Sequence, residues 1–113
     1  MVIQLVLSSF KANLKNSRFQ LFLGRFDGRP VATALALSEN ETCGVYLVST
    51  HQDYQGQGIG RDMTLAAMTA GRKMKCEKAV LQAKASGHGV YQKIGLQNCG
   101  EIVVFDISKY QLS

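Results

Sequence analysis

Three glycines at alternate positions, in Gln55-Gly56-Gln57-Gly58-Ile59-Gly60, separate two segments of different hydrophobic period. Before them, residues 43–50 read as a strand. After them, Met63, Ala66, Ala67, Ala70 and Met74 share one face of a helix over 61–76. Gly71 weakens that helix without ending it. Glycine adopts backbone angles closed to other residues and lets a ligand approach the main chain. The amides of such a loop, backed by the unpaired N–H groups and positive dipole end of a helix, make a cradle for a phosphate or pyrophosphate. Spacing excludes two nucleotide-binding patterns. The dinucleotide fingerprint needs G-x-G-x-x-G and an acidic residue about 20 positions on. The Walker loop needs a Gly-Lys-Ser/Thr ending. Neither is present.

The flanking segments set the fold class. Residues 19–26 and 31–37 read as strands joined through Asp27-Gly28, a strong hairpin signal. Pro30 can start the second strand but not sit inside it. A polar turn at 38–41 leads to the strand at 43–50, so 19–50 reads as an antiparallel meander. Residues 79–83 form a short buried strand after the helix. Strand, glycine loop, helix and strand make one βαβ crossover on an otherwise antiparallel sheet, a mixed α/β architecture. A turn at 86–89 precedes a short helix at 90–94 that Gly95 stops. Residues 96–99 and 102–107 read as a closing pair of strands around Gly100. At the N-terminus, Ile3, Val6 or Leu7, Phe10 and Leu14 recur at spacings of three and four, which predicts a helix over 1–17. A strand over 2–7 is the alternative.

A chain of 113 residues fits one domain, and 46% apolar with 19% charged residues excludes a disordered tail, a collagen-like repeat or a coiled coil. No apolar run approaches the roughly 20 residues of a membrane helix. The net charge of +5 is spread out, with Arg72, Lys73, Lys75 and Lys78 the nearest thing to a cluster. No stripe alternates aromatics with arginines, so no nucleic-acid module is indicated, and a small anionic ligand fits the balance. Cys43, Cys76 and Cys99 are odd in number and lack a C-x-x-C pair, and with two histidines there is no zinc spacing. Free thiols and the lack of a signal-peptide pattern predict a reducing, cytoplasmic location and no bound metal.

The glycine loop, written Q-x-x-G-x-G, resembles the acetyl-CoA pyrophosphate motif of the GNAT superfamily of N-acetyltransferases. Val48-Ser49-Thr50-His51-Gln52-Asp53-Tyr54 before it is similar to that family's strand and approach. Leu81-Gln82-Ala83, then Gly87 and Tyr91 through Gly95-Leu96, resemble its second signature, a strand followed by Y-x-x-x-G-F, with Leu96 in place of the Phe. The two motifs occur in the family's order, and the resemblance spans about 18–108. It implies a single GNAT-like domain over 1–113, with a mixed, mostly antiparallel sheet and a splayed βαβ crossover. The implied donor is acetyl-CoA, leaving as CoA. Main-chain groups of Val48, Ser49 and Thr50 would pair with its pantetheine arm and acetyl carbonyl. Gln55, Gly56, Gln57, Gly58, Ile59, Gly60 and Arg61 would hold the pyrophosphate. Tyr91 would contact the coenzyme and act as general acid, which a phenol can do because it is protonated at neutral pH.

The implied activity is transfer of an acetyl group to a primary amine by direct attack in a ternary complex. The other reading is a non-catalytic sensor that binds acetyl-CoA or CoA. The strand before the loop carries no carboxylate for a general base; Glu39 and Glu41 precede it, and His51, His88 or a water remain as alternatives. Lys84 stands where relatives have Ser or Asn. Relatives usually have two helices before the meander, whereas one helix-length segment precedes Phe19. The expectation is therefore a minimal member, a truncated or swapped N-terminal helix, or a homodimer. The expected partner is an amine acceptor, with no nucleic acid and no membrane.

Overall fold

Tight turns organise the first half of the chain. In the computed structural model, which describes residues 2–6, 18–83 and 87–102 (without the side chains of 2–6 and 88), β2 (Phe19–Phe26) and β3 (Arg29–Glu39) are joined by Asp27 and Gly28, at φ 50° and 78°. Two successive positive φ values give the turn whose twist matches that of a hairpin. Asn40 and Glu41, at φ 49° and 64°, make the same turn between β3 and β4 (Thr42–Thr50). Pro30 occupies the second position of β3, beside a register shift, where a missing N–H is tolerated. β1 (Val2–Val6) adds to the other side of β2, and α1 (Ile59–Lys73) leads to β5 (Lys78–Leu81). The five strands form one sheet in the order β1-β2-β3-β4-β5. Every neighbouring pair is antiparallel except β4 and β5, which are parallel across the α1 crossover. This is the mixed α/β class expected.

The helix predicted over 1–17 gives way to β1 at its start. Val2, Ile3 and Val6 are β-branched and favour extended backbone. The edge of β2 offers these residues a ladder from Val2↔Arg25 to Val6↔Leu21, and that pairing outweighs a helical spacing of apolar positions. The alternative strand reading matches the structure; residues 7–17 lie outside those described. The strand expected at 96–99 is also absent. Asn98 turns its side-chain oxygen onto the Gly100 amide at 3.0 Å, a local bond that competes with a ladder. From residue 103 onward, the second arm lies outside the described residues. α2 (His88–Lys93) falls close to its expected place, and Gly95, at φ 100°, ends it.

α1 packs across one face of the sheet. Ile59, Met63, Ala67 and Ala70 are buried against Ala34, Ala36, Cys43 and Val45. Register sets Ala36 beside Val45 and Phe22 beside Ala34, so small residues on β3 leave room for the helix. Met63 is fully buried, worth about 1.5–3 kcal/mol by area. Gly71 lies tight against β4: an added Cβ there would be 2.5 Å from the Cβ of Cys43. Burial pushes the Cys43 thiol up; a hydrogen bond with Ser38 works against this, and nearby Cys76 adds to it. No helix among the described residues is long and apolar enough to cross a membrane.

Candidate functional site

β4 and β5 pair for only four residues, from Thr42↔Lys78 to Val45↔Leu81. Beyond Val45, β4 continues to Thr50 with β3 as its only partner strand among the described residues. A bulge marks the parting. Leu35 faces Tyr46 and Thr33 faces Ser49, so Leu47 and Val48 together oppose Ala34. Leu47 adopts φ 54°, and the extra residue bends its strand. The Thr33 hydroxyl donates to the Leu47 carbonyl at 2.7 Å. A cavity of about 230 Å³ opens between the diverging strands, lined by Val45, Tyr46, Leu47, Val48, Leu81, Gln82 and Tyr91. An open strand edge offers main-chain donors and acceptors to an extended ligand. The ring of Tyr46 lies across Gly44, where an added Cβ would come within 2.5 Å of it.

The glycine loop begins where that edge ends. The His51 amide bonds to the Val31 carbonyl at 2.7 Å, and Gln55 Nε2 donates to the Thr50 carbonyl at 3.1 Å, tying both ends of the approach to the sheet. Gly56 and Gly58 sit at φ 80° and 82°, and an added Cβ at either would meet nothing within 4 Å, so this side of the loop is open. Gly58 caps α1, and the first bond of the helix runs from the Asp62 amide to the Gly58 carbonyl at 3.1 Å. The amides of Ile59, Gly60 and Arg61 precede that bond and have no carbonyl to reach within the helix. They stand at the positive end of the dipole. Ile59 is buried and anchors this first turn. The helix start abuts β4 at Gly60, where an added Cβ would make an ordinary contact with Thr50 Oγ1 at 3.7 Å.

Tyr91 reaches the cavity from α2. Its ring rests on Gly87, where an added Cβ would be 3.3 Å away, so the glycine one turn earlier makes room for the phenol. The structure brings Val48 and Tyr91 to one cavity and sets Thr50 at the helix start, with 55–61 forming the open loop. Ser49 pairs with Thr33 and does not line the cavity. Tyr46, Leu47 and Gln82 line it without having been singled out from sequence. Gln82 was within reach, since it directly follows the strand of the second signature. Leu47 carried no signal, because leucine rarely takes a positive φ.

The candidate bases separate. Glu39 and Glu41 are exposed at the opposite end of β4, where Glu39 faces Thr42 and the Glu41 carbonyl takes the amides of Glu77 and Lys78. His51 Nδ1 accepts the Asp53 amide at 3.1 Å as the cap of a short 3-10 turn, Gln52–Tyr54. In the neutral ring that bond leaves the proton on Nε2, so neither nitrogen offers a lone pair to a substrate. The side chain of His88, and Lys84, lie outside the described residues. Among the described residues no cluster of His, Cys, Asp or Glu could hold a metal ion.

The strand edge, the cavity and the cradle form one continuous path, and comparison with known proteins identifies what such a path accompanies. Residues 4–96 match the Acetyltransferase (GNAT) family. No curated protein sequence matches the chain. Among solved structures, glucosamine-6-phosphate N-acetyltransferase from Arabidopsis thaliana is similar with a TM-score of 0.77 at 16% identity, over 88% of this chain and 74% of that one. An aminoglycoside N-acetyltransferase in complex with CoA has a TM-score of 0.79 at 11% identity, over 93% and 98%. A predicted acetyltransferase with acetyl-CoA from Clostridium acetobutylicum has a TM-score of 0.69 at 18% identity, over 93% and 75%. At these identities the likeness establishes the fold.

Proposed function

The chain belongs to the Acetyltransferase (GNAT) family, and from that premise we propose that it is an acetyl-CoA-dependent N-acetyltransferase acting on a primary amine by direct attack in a ternary complex. One observation carries this reading: the open edge of β4 runs along the cavity directly into the amide cradle at the start of α1. A long thioester ending in a diphosphate matches that sequence of features. We take residues 1–113 as one such domain.

Acetyl-CoA supplies an acyl group already activated as a thioester, so the protein's work is to position it, polarise its carbonyl and supply a proton. The main chain of Val48 and Thr50 would pair with the amide-bearing arm as an added strand. Ser49, between them on β4, contributes main chain only. The amides from Gly56 to Arg61 would hold the diphosphate, and Gln55 fixes the loop through its bond to Thr50. As the amine nitrogen bonds to the carbonyl carbon, the carbon–sulfur bond breaks. Tyr91 Oη would give its proton to the departing sulfur and recover one from water. The amine's own proton leaves through water.

One observation favours a second reading. No carboxylate or imidazole lines the cavity among the described residues. A module that binds acetyl-CoA or CoA without turnover would have the same lining.

Calorimetry with CoA and acetyl-CoA, followed by thiol release with a panel of primary amines, separates these readings. Turnover is expected, and Tyr91→Phe should lower kcat by about 10²-fold while CoA affinity stays within about twofold. Coenzyme binding without turnover across the panel would favour the second reading. No heat with either coenzyme would overturn both.

A further inference from the structure

The Thr33–Leu47 hydrogen bond lies on the far side of β4 from the cavity, yet it fixes what the cavity presents. Thr33 belongs to β3, and β4 lies between β3 and β5. Its hydroxyl holds the Leu47 carbonyl at 2.7 Å on the β3 side. The Leu47–Val48 peptide is trans, since the described chain has no cis bond, and in a planar trans peptide the N–H points opposite to the C=O. The Val48 amide therefore points away from β3, to the side where Val48, Leu81 and Tyr91 line the cavity. The bulge has taken this peptide out of the regular ladder, because Leu47 and Val48 share one partner residue. Leu47 holds a left-handed conformation that its side chain disfavours, so the peptide needs an external hold to keep its orientation.

We propose that Thr33 is a positioning residue for acyl transfer: its hydroxyl pins the Leu47 carbonyl and thereby aims the Val48 amide at the acyl carbonyl in the cavity. The inference rests on the function proposed above. A donor aimed in advance at the oxygen that gains charge is a large source of rate, and a small rotation of the peptide plane forfeits it. Thr33 touches no reacting atom. It acts through one peptide, so its loss affects the acyl end of the coenzyme and not the diphosphate end.

Thr33→Val keeps the shape and removes the donor, and Thr33→Ser restores it. The probe is a methyl-ketone analogue of acetyl-CoA, which cannot transfer its acyl group, labelled with ¹³C at the carbonyl. Its resonance should move downfield on binding wild-type protein and Thr33→Ser, and stay near its free position in Thr33→Val. With an accepted amine, Thr33→Val should lose about tenfold or more in kcat with KM for acetyl-CoA and affinity for CoA within about twofold, and Thr33→Ser should recover most of the rate. A downfield shift in Thr33→Val equal to that in the wild type would overturn the pin and leave the proposed function standing. So would a loss of CoA affinity equal to the loss of rate without rescue by Thr33→Ser, which is the pattern of a purely structural role. Failure of wild-type protein to bind CoA or the analogue would overturn the proposed function and the pin with it. If Thr33→Val does not fold, Thr33→Ala at the partly exposed position gives the same readout.

Discussion

Gly71→Ala sets two effects of opposite sign against each other. On helix propensity alone the substitution stabilises α1 by about 1 kcal/mol. The structure predicts the reverse. The new Cβ would lie 2.5 Å from the Cβ and 2.6 Å from the Sγ of Cys43, where carbon atoms pack at about 3.5–4.0 Å. A gap of about 1 Å must open. Cys43 is 1% exposed near the start of β4, and its Cβ is fixed to the main chain, so rotating the side chain does not relieve the clash. Overpacking of this kind costs about 1–3 kcal/mol. After the propensity gain, the net loss is up to about 2 kcal/mol, or a drop of up to roughly 10 °C in Tm for a domain near this size. The site shares the consequence, because pushing α1 from β4 separates the cradle at 56–61 from the strand edge at 48–50. CoA affinity should therefore fall together with Tm. Circular dichroism melts with Gly89→Ala as control test the sign, since an added Cβ at Gly89 in α2 meets nothing within 4 Å and should be neutral or stabilising. A Tm for Gly71→Ala at or above that of the wild type would refute the reasoning.

Gly58 and Gly60, two residues apart, should respond in opposite directions. Gly58→Ala places a side chain at φ 82° and should cost about 1–2 kcal/mol although its Cβ has space, whereas Gly60→Ala makes an ordinary contact with Thr50 and should gain up to about 1 kcal/mol, read by urea unfolding. Equal effects would show that backbone conformation does not govern the loop. For Cys43, burial raises the thiol above its ordinary value near 9.0, so the folded chain holds the proton more tightly than the unfolded one. This contribution is intact below about pH 9 and declines above it as the unfolded chain ionises, so the stability difference between wild type and Cys43→Ala should shrink with rising alkaline pH. A difference that is flat through pH 9–10.5 would contradict it.

Much of the fold was legible because its signals are local. Asp27-Gly28 dictates its turn by its own backbone preference, and alternating glycines between a strand and an amphipathic helix announce the crossover. The two ends of the proposed site were named for the same reason: Gly56 to Gly60 and Tyr91 sit in short patterns whose chemistry would need those residue types. What failed depended on partners distant in sequence. Val2–Val6 carries spacing that suits a helix, and only the waiting edge of β2 makes it a strand. Glu41 takes a positive φ because the second hairpin requires two such residues, although glutamate gives no sign of it.

The cleft itself is the sharpest case. A gap in a parallel pair needs one strand to stop and the other to turn aside. The end of β5 could be read from the glycine and serine that follow it. The turning of β4 could not. It depends on Leu47 holding a conformation that leucine avoids, and the hydroxyl that holds it sits 14 residues back on another strand. A motif search therefore finds the residues proposed to hold the coenzyme, while the bulge beside the cavity is a tertiary fact, in which Thr33 and Leu47 meet across a strand pair. It follows that Leu47→Gly, which accepts the positive φ without strain, should leave the parting of β4 from β5 in place and CoA affinity within about twofold by calorimetry, whereas losing the Thr33 hydroxyl should turn the Leu47–Val48 peptide without closing the parting.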